Sequence, residues 1–330
     1  MGTRRDVQRA ADDRTGYVQG CVLLSQELTG VTARQADTVL RPVVPGWQLR
    51  TDDPERELST WDLFVLWHYV AMNLPTAGRG ANRAHGGPIF LPWHRLFLLR
   101  LEQELQRVLD RADFGLPYWD WARDRAVGST LWQPGRLGRN QGPVTAGAIG
   151  ALRVRVTQRF QPTIGGYLEV HAPRPIERAA GADPDAAALP TKREVAACLD
   201  ETDYDRQPFD IDATGPSGMV GLRNRLEGWR PVGPALHNRV HVWVGGDMGP
   251  GTSPNDPVFY LNHANVDRIW EAWMTARGRR YVPDGTAAGG SVAGHDVDDP
   301  MVALLGASLT PAEVLDPTPF YTYDNLDVAR

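Results

Sequence analysis

The chain has 330 residues, 42% of them hydrophobic and 23% charged, a composition typical of a globular protein with a sizeable core. Its formal net charge of -5 offers no basic surface of the kind that nucleic-acid binding requires. No apolar run reaches the roughly 18 residues that cross a bilayer, and the first residues lack the apolar stretch of a signal peptide. We therefore expect a cytoplasmic protein, or one exported together with a partner that carries a signal.

Helical patterns dominate the first third of the chain. Apolar side chains recur at helical spacing over residues 5–29, whereas residues 34–58 are polar and are predicted to be irregular. A second helix is predicted over residues 59–73, because its first residue is a serine and Asp62 follows three positions later, as in a capping box. A third helix is predicted from Pro92 through WHRLFLLRLEQELQRVL, since proline is well tolerated at the start of a helix.

The rest of the chain alternates between loops and two further helices. Residues 125–218 are rich in glycine, proline and alanine, with a few short strands and one short helix predicted, and we interpret them as surface elaboration. Core helices are predicted at about 234–244 and at 257–276, and the region from 280 onward is predicted to be irregular. The expected fold is mainly α, in a single domain that spans residues 1–330.

Six of the eight histidines fall into two triplets, carried by the predicted helices or by loops next to them. His237 and His241 are four positions apart, so a helix places them on one face, one turn apart, where they can hold one metal ion together. Imidazole nitrogen suits copper, zinc, iron and nickel. The first triplet consists of His68, His85 and His94, and the second consists of His237, His241 and His263.

Other kinds of metal site account for this pattern less well. A structural zinc site usually includes cysteine, but Cys21 and Cys198 are the only two and neither is suitably placed; whether they form a disulfide is left open. A carboxylate di-iron site needs the ExxH spacing, which Glu169 and His171 do not have. A mononuclear zinc site would leave one triplet unexplained. A pair of coppers that handles dioxygen uses all six histidines.

Ordered motifs from near residue 59 to the final YTYDN resemble those of one family. They read LPWHRLFLLRLE, LPYWDW, LRNRLEGW, LHNRVHVWVGGDM and SPNDPVFYLNHANVDRIWEAW. On these motifs the chain resembles the tyrosinases, a type 3 copper family, and its actinobacterial members in particular. The resemblance implies a core of four α-helices that holds two coppers with dioxygen as co-substrate. It also implies ortho-hydroxylation of monophenols and oxidation of o-diphenols to o-quinones.

The resemblance also assigns roles to individual residues. It makes the first triplet the ligands of one copper and the second triplet the ligands of the other. Glu227 and Asn238 match the pair that holds a water to deprotonate the incoming phenol, whose pKa in solution is about 10. Asp267 is expected to support the site structurally, and Phe259 is expected to pack against it as an aromatic wall.

Three departures from the family pattern change what is expected. Asn262 precedes His263 where many members have a second histidine, which bears on substrate preference and hydroxylation. Arg83 stands two residues before His85 where some relatives have a cysteine, so their thioether crosslink is not expected. The chain stops soon after YTYDN, so no C-terminal shielding domain is expected. A separate small copper-delivery protein is expected as a partner, beside a small phenolic or aminophenolic substrate.

Two further expectations concern the surroundings of the histidines. His171 and His295 match no motif and are expected to be ordinary surface residues. Most tryptophans are expected to form aromatic walls around the metals, because they concentrate near the histidine segments. These are Trp61, Trp67, Trp93, Trp119, Trp121, Trp229, Trp243, Trp270 and Trp273.

Alternative functions share the same ligands. One is a catechol oxidase or o-aminophenol oxidase that does not hydroxylate monophenols. Glu227 and Asn238 favour hydroxylation, whereas Asn262 weakens that preference. Another is a dioxygen carrier of the haemocyanin type, in which the site is covered, and a purely structural metalloprotein is the weakest alternative.

Overall fold

A computed structural model describes residues 1–163, 165–212, 220–229, 235–286 and 289–329. This part of the chain folds mainly into α-helices, joined by long loops and short strands, as predicted. The helices are α1 Ala11–Gln26, α2 Ala33–Leu40, α3 Thr60–Met72, α4 Phe90–Leu109, α5 Lys192–Leu199, α6 Gly221–Glu227, α7 Leu236–Val244, α8 Val258–Arg277 and α9 Pro311–Val314. The strands are β1 Gly2–Arg4, β2 Leu28–Thr32, β3 Leu49–Thr51, β4 Glu57–Ser59, β5 Gln141–Pro143, β6 Val154–Gln161, β7 Gly165–Arg174, β8 Glu177–Ala179 and β9 Tyr321–Tyr323.

Four helices, α3, α4, α7 and α8, form the centre of the molecule. Helix α8 packs against both α4 and α7, and α1 covers the outer side of α3 and α4. Helices α3 and α8 are buried on almost every face. Helix α3 is apolar almost all round, as expected of a central helix, whereas α8 also buries polar side chains such as Asn262, Asp267 and Glu271. Among the described residues, no helix combines the length and apolarity that a bilayer crossing would require.

The start of α3 is confirmed in detail. The Ser59 hydroxyl accepts a hydrogen bond from the Asp62 backbone N–H at 3.2 Å, and the Asp62 carboxylate accepts from the Ser59 N–H at 2.8 Å. This capping box satisfies two backbone donors that the first turn of a helix otherwise leaves unpaired. Helix α3 then continues to the predicted end, where the Asn73 amide donates to the Tyr69 carbonyl at 2.7 Å.

Several predicted boundaries were wrong. The helix predicted over 5–29 is confined to Ala11–Gln26, because residues 7–9 form a turn before it and β2 begins at Leu28 after it. Helix α2 occupies the start of the segment predicted to be irregular, and a capping box between Thr32 and Gln35 begins it. Helix α4 begins two residues before Pro92, and position 234 of the fourth predicted helix lies outside the described residues.

The strands form small sheets at the periphery of the helical core. Strands β1 and β9 pair in parallel, and β2 pairs with β4 in antiparallel fashion. A three-stranded sheet has the order β3-β7-β6, and β5 pairs with β8. Since β6 to β8 lie within residues 125–218, the predicted surface elaboration is largely this sheet region and the loops around it.

A buried ionic cluster joins the chain termini to the central helices. Asp267 on α8 accepts from Arg95 Nε at 2.6 Å and from Arg4 Nη1 at 3.2 Å. The hydroxyls of Tyr321 and Tyr323 donate to the same carboxylate at 2.5 and 2.6 Å. Asp267 therefore has the structural role predicted for it, and it ties β1, β9 and α4 to α8.

Cys21 and Cys198 are both buried and are not joined in a disulfide. Burial raises the pKa of the Cys21 thiol well above its usual range. Neither cysteine belongs to the histidine clusters described below.

Candidate metal centre

The first histidine triplet lies where α3, α4 and the loop before α4 meet. His68 is on α3, His94 is in the first turns of α4, and His85 is in the glycine-rich loop. All three are buried, with exposed fractions of 2%, 8% and 2% for His68, His85 and His94. One ring nitrogen from each lies within 4.8 Å of those of the other two, a separation compatible with one shared metal ion.

Backbone carbonyls orient the rings of this triplet. His68 Nδ1 lies 2.8 Å from the Gly251 carbonyl oxygen, and His94 Nδ1 lies 2.8 Å from that of Phe90. Because a carbonyl only accepts, each Nδ1 must carry the proton, which leaves a lone pair on each Nε2. Both Nε2 atoms are buried and have no hydrogen-bond partner among the described residues. Such lone pairs are ready to bind a cation.

In the second triplet, the ring nitrogens of the three histidines converge on one point. His237 and His241 are one turn apart on α7, as predicted, and His263 faces them from α8. His263 Nε2 lies 3.0 Å from His237 Nε2 and 3.3 Å from His241 Nε2. His241 Nδ1 donates to the Met248 carbonyl at 2.8 Å, and His237 Nδ1 contacts Asn238 Oδ1 at 3.0 Å. With their protons on Nδ1, His237 and His241 direct lone pairs at the third nitrogen, and a cation among the three satisfies them.

The two triplets form one centre. The His94 and His263 rings stack with centroids 4.1 Å apart and planes 14° apart. His85 and His237 also approach across the centre, with centroids 6.4 Å apart. The six histidines therefore form two adjacent groups of three, each of which could hold one metal ion.

The electrostatics of the centre favour neutral imidazoles. Burial lowers the pKa of all six histidines, to about 3 for His68 and about 4 for His241. A neutral ring is the form that binds a metal ion. Neither cluster contains a carboxylate or a thiolate. An all-nitrogen donor set of three imidazoles per site fits copper.

Phenylalanines line the centre more closely than tryptophans do. Phe259 packs on His263 and His68, with ring centroids 4.1 and 5.0 Å apart, which confirms its predicted position. Phe90 lies between the triplets, with centroids 4.7 Å from His94 and 4.9 Å from His237. The predicted tryptophan walls are therefore only partly correct.

Two tryptophans border the first triplet, Trp229 lines the cavity that leads to the sites, and others pack in the core elsewhere. Trp93 lies beside His94 and His68, at centroid distances of 4.8 and 5.9 Å. Trp67 packs edge-on against Trp93. A separate aromatic cluster consists of Trp119, Trp132 and Trp243. Proximity in sequence to a histidine therefore does not predict whether a tryptophan packs against the metal ligands, because successive helical residues point in different directions.

A cavity of about 510 Å³ leads to the two sites. Its wall includes His68, His85, His237 and His241, and the protein around them is mostly apolar. Pockets of this size hold small organic ligands. The other lining residues are Met72, Gly80, Asn82, Gly228, Trp229, Asn238, Val242, Gly249, Pro250, Gly251 and Ser253.

Glu227 and Asn238 both lie next to His237. The Glu227 side chain is fully buried; its carboxylate accepts from the Gly86 N–H at 2.8 Å and from Arg223 Nη1 at 3.1 Å. Burial raises the pKa of this carboxyl above its usual value, although the Arg223 guanidinium opposes the change. Asn238 lines the cavity and touches His237 Nδ1, whereas Glu227 lies behind Gly86 and reaches the same Nδ1 only through its backbone carbonyl, at 3.3 Å.

Two departures from the family pattern have visible structural settings. Asn262 is fully buried, and both polar atoms of its side chain lack a hydrogen-bond partner among the described residues. Arg83 lies against Gly294, where a Cβ atom would come within 2.3 Å of the guanidinium. Gly294, from the C-terminal region, thus packs against the residue two positions before His85.

Some groups at the centre were missed. The carbonyls of Met248 and Gly251 belong to backbone, so no side-chain pattern indicates them. Arg223 is four residues before Glu227 on α6, and that spacing could have identified the pair. His295 was predicted to be a surface residue, but this was wrong because it is fully buried; its pKa is lowered by burial to about 4. His171 on β7 is partly exposed and belongs to neither triplet.

Comparison with known proteins agrees with this geometry. Residues 58–276 match the family model described as the common central domain of tyrosinase. The chain is 40% identical over 280 residues to a tyrosinase from Streptomyces antibioticus, covering 82% of this chain and 90% of that protein. It is 37% identical over 266 residues to grixazone synthase from Streptomyces griseus, covering 74% of this chain and 83% of that enzyme.

The fold is also similar to that of a solved structure. A polyphenol oxidase from Thermothelomyces thermophila superposes with a TM-score of 0.68 at 22% identity, covering 98% of this chain and 89% of that one. At that level of identity the likeness supports the fold, including its mainly helical core.

Proposed function

Since the chain belongs to the tyrosinase family of dicopper phenol oxidases, we propose that it hydroxylates monophenols at the ortho position and oxidises o-diphenols to o-quinones. The observation that carries the proposal is the pair of converging histidine triplets at the end of one cavity. When bound there, two coppers supply the redox chemistry, which consumes dioxygen as co-substrate and takes electrons from the phenol. The organic product is an o-quinone, and the oxygen that is not incorporated leaves as water.

The protein holds a single phenolic ring beside both triplets. The cavity of about 510 Å³ is large enough for such a ring, and its lining includes two histidines of each triplet. The buried phenylalanines fix the ring planes of the ligands, since packed aromatic side chains have little freedom to reorient. The chain thus contributes a preformed, mostly apolar pocket.

Glu227 and Asn238 serve as the groups that position a water for removing the phenol proton. A phenol with a pKa near 10 is mostly protonated at neutral pH, so an acceptor is needed beside the site. Asn238 presents its amide to the cavity. The carboxylate of Glu227 is anchored one residue from His85 by the Gly86 N–H. Support for the pair is that the Asn238 side-chain oxygen and the Glu227 backbone carbonyl both lie near His237 Nδ1, which places the two residues beside one ligand.

Replacing Asn238 by aspartate is expected to lower monophenol turnover relative to catechol turnover by about tenfold or more, because the carboxylate no longer donates an N–H to that water. Thermal stability is expected to change much less, since Asn238 is partly exposed. Oxygen uptake with tyramine and with a catechol measures the ratio. Asn140→Asp, at an exposed amide, is the matched control. An unchanged ratio in Asn238→Asp contradicts the role of Asn238.

An oxidase restricted to o-aminophenols or catechols is the second candidate. Two observations favour it: Asn262 occupies the position before His263, and a grixazone synthase is among the similar proteins. A dioxygen carrier of the haemocyanin type is a third, weaker candidate, because the cavity leaves the triplets open to small molecules.

Oxygen uptake by copper-loaded protein with three substrates separates these functions. We expect uptake with tyramine after a lag and immediate uptake with a catechol. Uptake with only the catechol or 2-aminophenol would replace the proposal by the restricted oxidase. No uptake with any of the three, at two coppers per chain, would favour the carrier.

We further propose that residues 1–330 form one copper domain, that a separate small protein delivers the metal, and that the enzyme is cytoplasmic or exported with a partner. Burial of five of the six histidines supports the delivery step, because copper must reach ligands that are largely shielded from solvent. Copper content after expression with and without a candidate delivery protein tests it.

A further inference from the structure

We propose that His295 is a positioning residue for the metal ligand His85, and that residues 292–302 form the outer frame of the first triplet. The inference rests on the proposed function only in taking that triplet to bind copper. It concerns how the chain holds its ligands, since His295 is not among the residues that line the cavity and reaches it only through Asn82.

The imidazole of His295 bridges Thr76 and Asn82, two residues of the loop between α3 and α4 that carries His85. Its Nε2 lies 2.9 Å from Thr76 Oγ1 and 3.1 Å from the Asn82 carbonyl oxygen. Because the Asn82 carbonyl only accepts, Nε2 carries the proton and donates to the loop. The side chain is fully buried, so this hydrogen bond is made away from competing water.

Asn82 transmits this contact to His85. The Asn82 side-chain oxygen accepts from the His85 backbone N–H at 2.8 Å and from the Ala84 N–H at 3.0 Å. The Asn82 backbone N–H donates to the His85 carbonyl at 2.9 Å. The backbone of His85 is therefore held on both sides by one residue, and His295 holds that residue in turn.

Close packing reinforces the hydrogen bonds. A Cβ atom on Gly87 would lie 2.3 Å from His295 Cε1, so the imidazole rests directly on this part of the loop. Gly294, next to His295, gives similar room to the guanidinium of Arg83. The Tyr281 hydroxyl donates to the His295 carbonyl at 2.6 Å and fixes the backbone of the supporting segment.

The same segment also supports the other two ligands of this triplet. The Val302 carbonyl accepts from Trp67 Nε1 at 2.8 Å and from Trp93 Nε1 at 3.0 Å. These tryptophans directly precede His68 and His94 in the sequence. The second triplet has different supports, namely the Met248 carbonyl for His241 and the Glu227 carbonyl and Asn238 for His237. A substitution that disturbs residues 292–302 should therefore lower the affinity of the first triplet for copper and leave that of the second unchanged.

The test is a titration of the metal-free protein with cuprous copper against a chromogenic chelator. In His295→Leu, which removes the donor and keeps an apolar side chain, we expect the affinity of one of the two coppers to fall about tenfold or more. The other copper should keep its wild-type affinity. His295→Gln should largely restore binding, because its amide nitrogen can take the place of Nε2. Wild-type affinity of both sites in His295→Leu would overturn the proposal.

Control variants separate positioning from general loosening. Tyr281→Phe removes the bond to the His295 backbone but leaves the imidazole, so copper affinity should fall less than in His295→Leu. In a His85→Ala background, His295→Leu should cause no further loss of affinity, because the ligand that it positions is absent. A full additional loss in that background would also overturn the proposal.

The outcome remains decisive if His295→Leu does not fold. His295→Gln is then compared with His295→Asn, whose shorter amide reaches only the place of Nδ1. Tighter copper binding by the glutamine variant is expected, and equal affinities would refute the role of Nε2. A wild-type protein that binds two coppers but oxidises no phenol would defeat the proposed function and leave this inference standing.

Discussion

Replacing His241 by alanine is expected to lower copper content from two ions per chain to one and to reduce phenol oxidation to background. The three nitrogens of the second triplet lie within 4.8 Å of one another, and no carboxylate or thiolate belongs to that group. Two imidazoles remaining in a buried site bind copper much more weakly than three, and the redox chemistry needs both ions. Metal analysis and oxygen uptake on the same sample measure both effects.

The matching change in the first triplet is His94→Ala, for which the same losses are expected at the other copper. His171→Ala provides the control, because this histidine is on β7 and in neither triplet. It should leave copper content and turnover unchanged. Full copper occupancy in either ligand variant would refute the assignment of that triplet.

Replacing Asp267 by alanine is expected to destabilise the folded protein by about 3–5 kcal/mol, since it leaves the buried guanidiniums of Arg4 and Arg95 without this carboxylate. Urea unfolding of the metal-free protein measures the change. The control is Glu55→Ala, at an ion pair with Arg34 in which both side chains are about two-thirds exposed. Such exposed pairs contribute about 0–1 kcal/mol. Equal effects of the two substitutions would contradict the structural role of Asp267.

The effect of Asp267 also has a defined pH dependence. Burial alone would raise the pKa of this carboxyl, but Arg95 and Arg4 outweigh burial and hold the pKa below its usual value. Its stabilising contribution is therefore fully present above the pKa of an unfolded aspartate, about 3.9, and is lost as pH falls through the lower folded value. The difference in stability between wild type and Asp267→Ala should persist at neutral pH and shrink only below about pH 4.

Local signals in the sequence predicted the central helices and the ligands. The capping box at Ser59 defined the start of α3, and the four-residue spacing of His237 and His241 defined a shared helix face. Each of these signals lies within one or two helical turns, where the geometry of the backbone leaves few alternatives.

Features that depend on distant parts of the chain could not be predicted in this way. Strand β1 exists because it pairs with β9, and Thr3 and Thr322, whose hydroxyls meet there, are 319 positions apart. His295 is buried only because residues 292–302 fold over the loop of His85. A local sequence pattern cannot predict a contact between residues so far apart, so the sequence predicted these segments to be irregular.

The loop between α7 and α8 has a consequence for how substrate enters. One short run of backbone holds His241 through Met248 and His68 through Gly251, and Gly249 and Pro250 beside them form part of the cavity wall. Gln158 on β6 secures the loop from outside, since its amide oxygen accepts from the Gly251 N–H at 2.7 Å. Swinging this wall outward would break the hydrogen bond behind one imidazole of each metal. We therefore expect this side of the entrance to stay in place when a phenol binds, so that its shape limits which phenols can enter.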